Sequence, residues 1–276
     1  MTDTMQIQEN PAAPVQSASA AAQSASTAAQ TELPLITVLT VALNAEATIA
    51  RTIESVLGQS YARVEYIILD GMSEDRTVEV ASGYADAFAA RGYSFRIVRR
   101  RDGGMYEALN YGVTLAGGDL IGQINADDWY EPDALSLVAE AFVRENFDYA
   151  WGNLRVHTKK GEFIKHAKNG RLAVTRHWNH PTTFIRAEVY RENPYSLLSM
   201  YDDFELILRL RRKKCRACVI DHTLADFTFG GMSTHHSLRE MFHRIRLRQA
   251  NYRRNRYSRL YWFDSFITEF LKYIRS

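Results

Sequence analysis

Two adjacent acids, Asp127 and Asp128, follow an apolar run in "LIGQINADDWYEP". Neighbouring carboxylates repel, and on its own such a pair needs nothing more than a surface turn. Other acids occupy comparable places. Asp70 closes "VEYIILD", and Asp102 opens the turn "DGG" after "SFRIVRR". Acids that converge without local lysines are stabilised by a divalent cation, and hard carboxylate oxygens select Mg²⁺ or Mn²⁺. Mg²⁺ takes one or two protein carboxylates and leaves its other positions to water and phosphate oxygens. The pattern therefore suggests a metal–diphosphate site. The chain has no GxxxxGK[ST] loop and no GxGxxG after its first apolar run. The phosphates would then be held by the metal, not by a glycine-rich cradle, and a dinucleotide dehydrogenase is disfavoured. A second pair, Asp202 and Asp203, opens "DDFELILRLRRK". Helix capping accounts for it, and so does a general base directed at an acceptor hydroxyl.

These residues need elements to hold them. "LITVLTVAL" and "VEYIILDG" are β-branched apolar runs that predict buried strands, with "SFRIVRR" and "DLIGQIN" as the third and fourth. Between the first two, Ala45, Ile49, Ile53, Val56 and Leu57 recur at helical spacing. Ser73, Glu74 and Asp75 predict a helix start, with Val78, Ala81, Ala85 and Phe88 inward. "MYEALNYGVTLA" and "PDALSLVAEAFVREN" are further helices, and Trp151 is expected after a short strand. "CRACVI" and "LADFTF" read as two strands, and "GGMSTHH" as a mobile loop. Strands alternating with helices imply an α/β fold: a Rossmann-like, mostly parallel sheet with helices on both faces. Ligands of such sheets bind beyond the carboxyl ends of the strands, where Asp70 and Asn125 to Asp128 would gather.

The 276 residues, 46% of them hydrophobic, suffice for one large domain with an appendage. Lys and Arg number 34 against 32 Asp and Glu, so the chain as a whole is no polyanion binder. Cys215 and Cys218 form a lone "CRAC", read as reduced thiols and not as a zinc site. Residues 1–33 are rich in Ala, Ser, Gln and Thr and predict a disordered tail. That tail lacks the charged and apolar regions of a signal peptide. No apolar run approaches the roughly 18 residues a membrane span needs. A cytoplasmic protein is expected, with domain bounds 34–235 and a helical extension at 236–276.

In order along the chain, "ITVLTVALNAEATIARTIESVLGQSY", "VEYIILDGMSED", "RRDGGMYEALNYGVTLAGGDLIGQINADDWYEPDAL", "HPTTFIRAEVY", "DDFELILRL" and "FGGMS" resemble an inverting glycosyltransferase of family 2 with the GT-A fold. The resemblance is strongest to the bacterial exopolysaccharide branch typified by the colanic-acid WcaE enzyme. It implies a nucleotide-sugar donor, UDP- or GDP-linked, and a glycan or lipid-linked acceptor. Val41, Ala42, Leu43 and Asn44 stand where the family has Pro-Thr-Tyr-Asn around the nucleotide; Leu43 replaces the aromatic stacker with an apolar contact. Asp70 matches the acid that bonds the nucleobase. Asp102, Gly104, Met105, Tyr106 and Asn110 match the border of the nucleotide and donor sugar. Asn125, Ala126 and Asp127 match the DxD motif with its first acid lost. Asn125 would then contact ribose or sugar hydroxyls, Asp127 would be the principal metal ligand, and Asp128 would support it directly or through water. Asp203 matches the catalytic base, with Asp202 raising its pKa by like-charge repulsion. Asp202 and His180 are placed on the acceptor side, structural bonding being the other reading of His180. "FGGMSTHH" would close over the diphosphate on hinges at Gly230 and Gly231 and bring His235 or His236 to phosphate or metal, or be an ordinary turn.

The segment from Arg239 onward is basic and carries an apolar stripe of Trp262, Phe263, Phe266, Ile267, Phe270, Leu271 and Ile274. Three readings stay open: packing onto the domain, lying on the anionic inner face of the plasma membrane, or forming an oligomer. Two rival functions are a sugar nucleotidyltransferase and a non-catalytic nucleic-acid-binding protein. The first wants a Gly-rich basic triphosphate loop, which "VALNAEAT" does not provide; the second leaves the acids facing phosphate, so no nucleic-acid partner is expected.

Overall fold

The first strand, β1 (Ile36–Ala42), and the second, β2 (Val64–Asp70), are buried along almost their whole length. Helices cover both faces, so their apolar residues run on continuously instead of alternating. The chain is described here by a computed structural model covering residues 33–229 and 237–273. β1 and β2 lie parallel to each other and to β3 (Ser94–Arg99) and β4 (Leu120–Gln123). Helix α1 (Ile49–Leu57) joins β1 to β2 and buries Ile49, Thr52, Ile53 and Val56 at the expected spacing. Helices α2 (Thr77–Ser82) and α3 (Ala85–Ala90) lead to β3, and α4 (Met105–Leu115) leads to β4.

The second half adds β5 (Trp129–Tyr130), α5 (Ala134–Glu145), β6 (Tyr149–Thr158), β7 (Gly161–Lys165), β8 (Phe184–Arg186), α6 (Ala187–Glu192), α7 (Asp202–Arg212) and β9 (Ala217–Thr228). One mixed sheet has the order β3-β2-β1-β4-β8-β6-β9-β5, with β7 beside β6. β8 runs antiparallel to both β4 and β6, and β6 is parallel to β9. Thus β1, β2, β3, β4, β6 and β9 point one way, and their carboxyl ends share an edge. At Gly122 in β4, any Cβ would lie 2.4 Å from the Phe184 ring, so glycine is what lets β8 pack there.

Some local expectations are corrected. The residues after β2 form two short helices broken at Gly83, which turns Ala85 outward. Ser73 caps no helix; its hydroxyl accepts the Asn44 N–H at 2.9 Å across the sheet edge. Trp151 sits inside a ten-residue strand and not after a short one. "CRACVI" and "LADFTF" fuse into the single strand β9, which pairs with β6 through register shifts around Asn153. The Asn153 side chain bridges that irregularity by donating to Asp221 at 3.1 Å.

Two helices follow, α8 (Leu238–Arg254) and α9 (Tyr261–Tyr273). They pack onto the domain through buried side chains, Tyr252 in the apolar core against Phe204 among them, and through polar contacts. Tyr252 donates to the Ala173 carbonyl at 2.7 Å and Asn251 donates to the Tyr201 carbonyl at 2.9 Å, while Arg248 of α8 pairs with Glu269 of α9 at 3.3 Å and ties the two helices together. Among the described residues no helix is long and apolar enough to cross a membrane.

Candidate active site

The site begins at the ends of β1 and β2. Gly71 N–H donates to the Ala42 carbonyl at 2.9 Å, extending the pairing one step past the strands. The chain then turns through two non-glycine residues in the left-handed region, Asn44 (φ 51) and Met72 (φ 70). Each such turn costs about 1–2 kcal/mol for an L-residue, less for Asn. A reciprocal clasp holds both turns. Ala45 N–H donates to Thr77 Oγ1 at 2.7 Å, Glu46 N–H to Asp75 Oδ2 at 3.0 Å, and Glu74 N–H to Asn44 Oδ1 at 2.9 Å. The clasp leaves Leu43 63% exposed and Met72 41% exposed, each just beyond the end of its strand. Exposed apolar groups on a fixed polar scaffold form a surface on which a planar base can lie. Val41, near the end of β1, is partly buried.

Asp70 is buried at the end of β2. Its carboxylate pairs with Arg99 at 3.0 Å and accepts the Ser73 N–H at 3.2 Å. Arg99, which the sequence reading passed over, is half exposed and also donates to the Ser73 carbonyl. Beyond β3, Asp102 pairs with Arg100 at 3.3 Å, and burial nonetheless raises its pKa above the usual carboxylate value. Gly104 starts α4 at φ 146, a conformation that only glycine adopts without strain. Asn110 is partly buried, and its side chain donates to the Tyr195 carbonyl at 3.0 Å and accepts the Tyr195 N–H at 2.8 Å. It fixes the loop before α7.

Beyond β4 the four residues Asn125 to Asp128 divide in two. Asp128 turns inward and is fully buried. One of its oxygens accepts from Asn125 Nδ2 at 3.1 Å, and the other faces Thr228 N–H at 3.4 Å. Burial, and then the Asp127 charge, push its pKa up to about 8. Ala126 is buried, while Asn125 and Asp127 are partly exposed. Arg51 donates to the Asp127 carbonyl at 2.9 Å, and its guanidinium lies 3.6 Å over Trp129. Neither Arg51 nor Trp129 is marked by the sequence alone as part of this edge. No donor among the described residues reaches the Asp127 carboxylate.

Asp202 and Asp203 separate in the same way. Asp202 is fully buried, and its oxygens accept the N–H groups of Leu198 at 2.8 Å and Ser199 at 2.9 Å. Asp203 stays 20% exposed, with His180 Nδ1 3.5 Å from its Oδ2. His180 is held largely out of water, and burial lowers its pKa while Asp203 opposes that shift. Its Nε2 is buried without a hydrogen-bond partner among the described residues. Tyr106 donates to the Met200 carbonyl at 3.1 Å, and burial together with the Asp203 charge raises its phenol well above the usual value. The Tyr106 ring packs on Tyr195 at 4.7 Å, and Tyr195 Oη donates to Gln123 at 2.9 Å, at the end of β4. A chain of contacts thus ties Asp203 to the strand end that precedes Asn125. Tyr195 and Gln123 also escaped the sequence reading; their only signal was their place beside the motifs.

Among the described residues no group of three or more His, Cys, Asp and Glu is arranged to hold a metal ion. Among the described residues of this edge, Asp127 offers an unpartnered, partly exposed carboxylate beside a buried acid. That suits a cation held by one protein carboxylate, with phosphate and water completing its shell. Gly230, Gly231, His235 and His236 lie outside the described residues.

The profile described as "Glycosyl transferase family 2" matches residues 37–209. A "PGL/p-HBAD biosynthesis glycosyltransferase" of Mycobacterium bovis is 30% identical over 168 residues, 59% of this chain and 64% of the relative. The chain therefore spans under two thirds of that relative's length. The chondroitin synthase of Pasteurella multocida is 32% identical over 113 residues, 41% of this chain and 11% of the synthase. Among solved structures, S. aureus TarS 1-349 in complex with UDP superposes with a TM-score of 0.63 at 16% identity, covering 78% of this chain and 64% of that one. The mannosyltransferase PcManGT from Pyrobaculum calidifontis, with GDP-Man and Mn²⁺, gives 0.60 at 15% identity, covering 80% and 62%.

Proposed function

Because the chain belongs to glycosyl transferase family 2 and has the GT-A fold of its structural neighbours, we propose that it transfers a hexose-type sugar, with inversion, from a nucleotide diphosphate to a hydroxyl of a glycan or lipid-linked acceptor. The observation that supports this most is the place of Asp203. It is the accessible acid of its pair, beside Tyr106 and linked through Tyr195 and Gln123 to the edge that carries Asp127.

The chemistry is one in-line displacement. Asp203 accepts the proton of the acceptor hydroxyl as its oxygen forms a bond to C1. The bond between C1 and the diphosphate oxygen breaks with its electron pair leaving on the diphosphate, and one displacement inverts C1. His180 and the N-terminal turn of α7 orient and stabilise the carboxylate. Leu43 and Met72 give the base an apolar rest, and Arg99 with Asp70 presents a polar edge beside it. Asp127 would hold Mg²⁺ or Mn²⁺, which supplies charge neutralisation for the departing diphosphate. The bound Mn²⁺ named for PcManGT favours that assignment. The ordered motifs favour cell-surface polysaccharide synthesis in the exopolysaccharide, WcaE-like branch. The cytoplasm is the fitting compartment, because it holds nucleotide sugars.

A melting screen with UDP, GDP and dTDP sugars, with and without Mn²⁺, tests the reading. At a hundred times Kd, a donor adds about 2.7 kcal/mol of stability. One nucleotide class should raise the melting temperature in an Mn²⁺-dependent way. No shift with any of them would contradict the proposal.

A further inference from the structure

Helix α9 is inside out. Asp264, Ser265 and Glu269 face the domain and are buried. Asp264 pairs with Arg176 of the domain at 3.2 Å, Glu269 accepts from Tyr201 Oη of the domain at 3.4 Å and pairs with Arg248 of α8 at 3.3 Å, and Ser265 accepts from Gln249 of α8 at 2.8 Å. The opposite face exposes Trp262, Phe263, Ile267, Phe270 and Leu271. Trp262, Phe266 and Phe270 stack in register along it, with ring centroids 5.2 and 5.7 Å apart. A helix that docks on its own domain normally turns its apolar stripe inward. Here the ion pairs fix the reverse orientation, so the apolar stripe faces away from the domain's core.

The surrounding charge selects the occupant. Arg253, Arg254, Arg256 and Arg259 are exposed at the end of α8 and in the turn before α9. The acids of this segment point elsewhere: Glu240 pairs with Arg244, and Asp264 and Glu269 pair inward. A cationic rim beside a stripe of Trp, Phe, Ile and Leu matches an anionic lipid surface. A second copy of the same face would bring two clusters of arginine together. The 13-residue helix is about 20 Å long, which suits lying in the interface and is too short to span.

We propose that α9 and its arginine rim dock the protein on anionic lipid, with the aromatic stripe in the headgroup region and the helix parallel to the membrane. This surface stands whether or not the transfer reading holds.

The test is co-sedimentation of the full chain with phosphatidylcholine vesicles, with and without phosphatidylglycerol. Binding should need phosphatidylglycerol and weaken with salt. Combined Phe263→Ser, Ile267→Ser and Phe270→Ser should weaken it about tenfold or more while leaving the melting temperature unchanged, since these side chains are exposed. Arg256→Gln with Arg259→Gln should cost roughly thirtyfold by charge alone. Trp262→Phe should keep binding but lose the fluorescence quenching by brominated lipid that the wild type shows. The proposal is overturned if the wild type ignores phosphatidylglycerol, or if the serine variant sediments as the wild type does. A solution dimer that the serine variant dissolves, without vesicle binding by the wild type, would assign the face to a second copy and overturn it equally.

Discussion

Replacing Glu269 by Ala probes what keeps α9 in its reversed orientation. Glu269 is fully buried, and the side chain of Arg248 is 2% exposed. Removing one partner of a buried pair leaves an uncompensated charge and typically costs about 3–5 kcal/mol. Arg248 would keep Thr175, whose hydroxyl accepts at 3.2 Å, and its place over Tyr201 and Phe204. Those contacts argue for the lower end, about 3 kcal/mol. For a domain of this size that corresponds to a fall of about 6–12 °C in melting temperature. If the loss is confined to undocking of α9, limited proteolysis should cut near residues 255–260 before the rest of the chain. The double substitution Glu269→Leu with Arg248→Met removes both charges and should lie close to wild type, because apolar replacement of a buried pair is often neutral. Phe270→Ser, one residue away but exposed, should stay within about 0.5 kcal/mol. Calorimetric melts of the four proteins decide the matter. A Glu269→Ala shift under about 2 °C, or a double variant as unstable as the single, would refute the reasoning.

Two further outcomes follow from the site. Asp127→Ala should remove the Mn²⁺ dependence of nucleotide binding with little change in melting temperature, since no donor among the described residues reaches that carboxylate; isothermal titration with and without Mn²⁺ checks it. Burial lowers the pKa of His180, so below about pH 6.5 the unfolded chain takes up a proton that the folded one refuses. The contribution of His180 to stability should therefore fall from pH 7 to pH 5, by at most about 1.4 kcal/mol per pH unit, while buried Asp128, whose raised pKa favours the folded state as pH falls, contributes in the opposite sense. His180→Gln should flatten that part of the profile in denaturant melts, and an unchanged profile would count against the assignment.

Strands β1, β2 and β4 of the parallel half were legible because they are buried on both faces, and burial writes itself into the sequence as apolar runs; β3, at the edge, is only partly covered. β6 and β9 were harder. Each passes from the covered core to a wetter rim, so polar residues such as Asn153, His157 and Asp221 interrupt the pattern and one strand reads as two. The motif acids were visible as pairs, but not which member of each pair faces solvent. That choice depends on groups remote in sequence: Thr228 and Asn125 draw Asp128 inward, and the Leu198–Ser199 turn draws Asp202 inward, leaving Asp127 and Asp203 accessible. Arg99, Tyr195 and Gln123 carry no motif of their own, and only the tertiary contacts reveal them. The two-faced character of α9 was plain from its spacing. Which face turns inward was not, since Arg248 and Arg176 decide it from other elements.

The reading of Asp203 as the base that activates the acceptor rests most directly on one comparison. Asp203→Asn and wild type would be assayed side by side for donor affinity by calorimetry and for sugar transfer to an acceptor. Loss of a general base costs about 10²–10⁴-fold in rate. Transfer should therefore drop by at least that lower bound while donor affinity stays close to wild type. Transfer that persists near the wild-type rate would contradict the account.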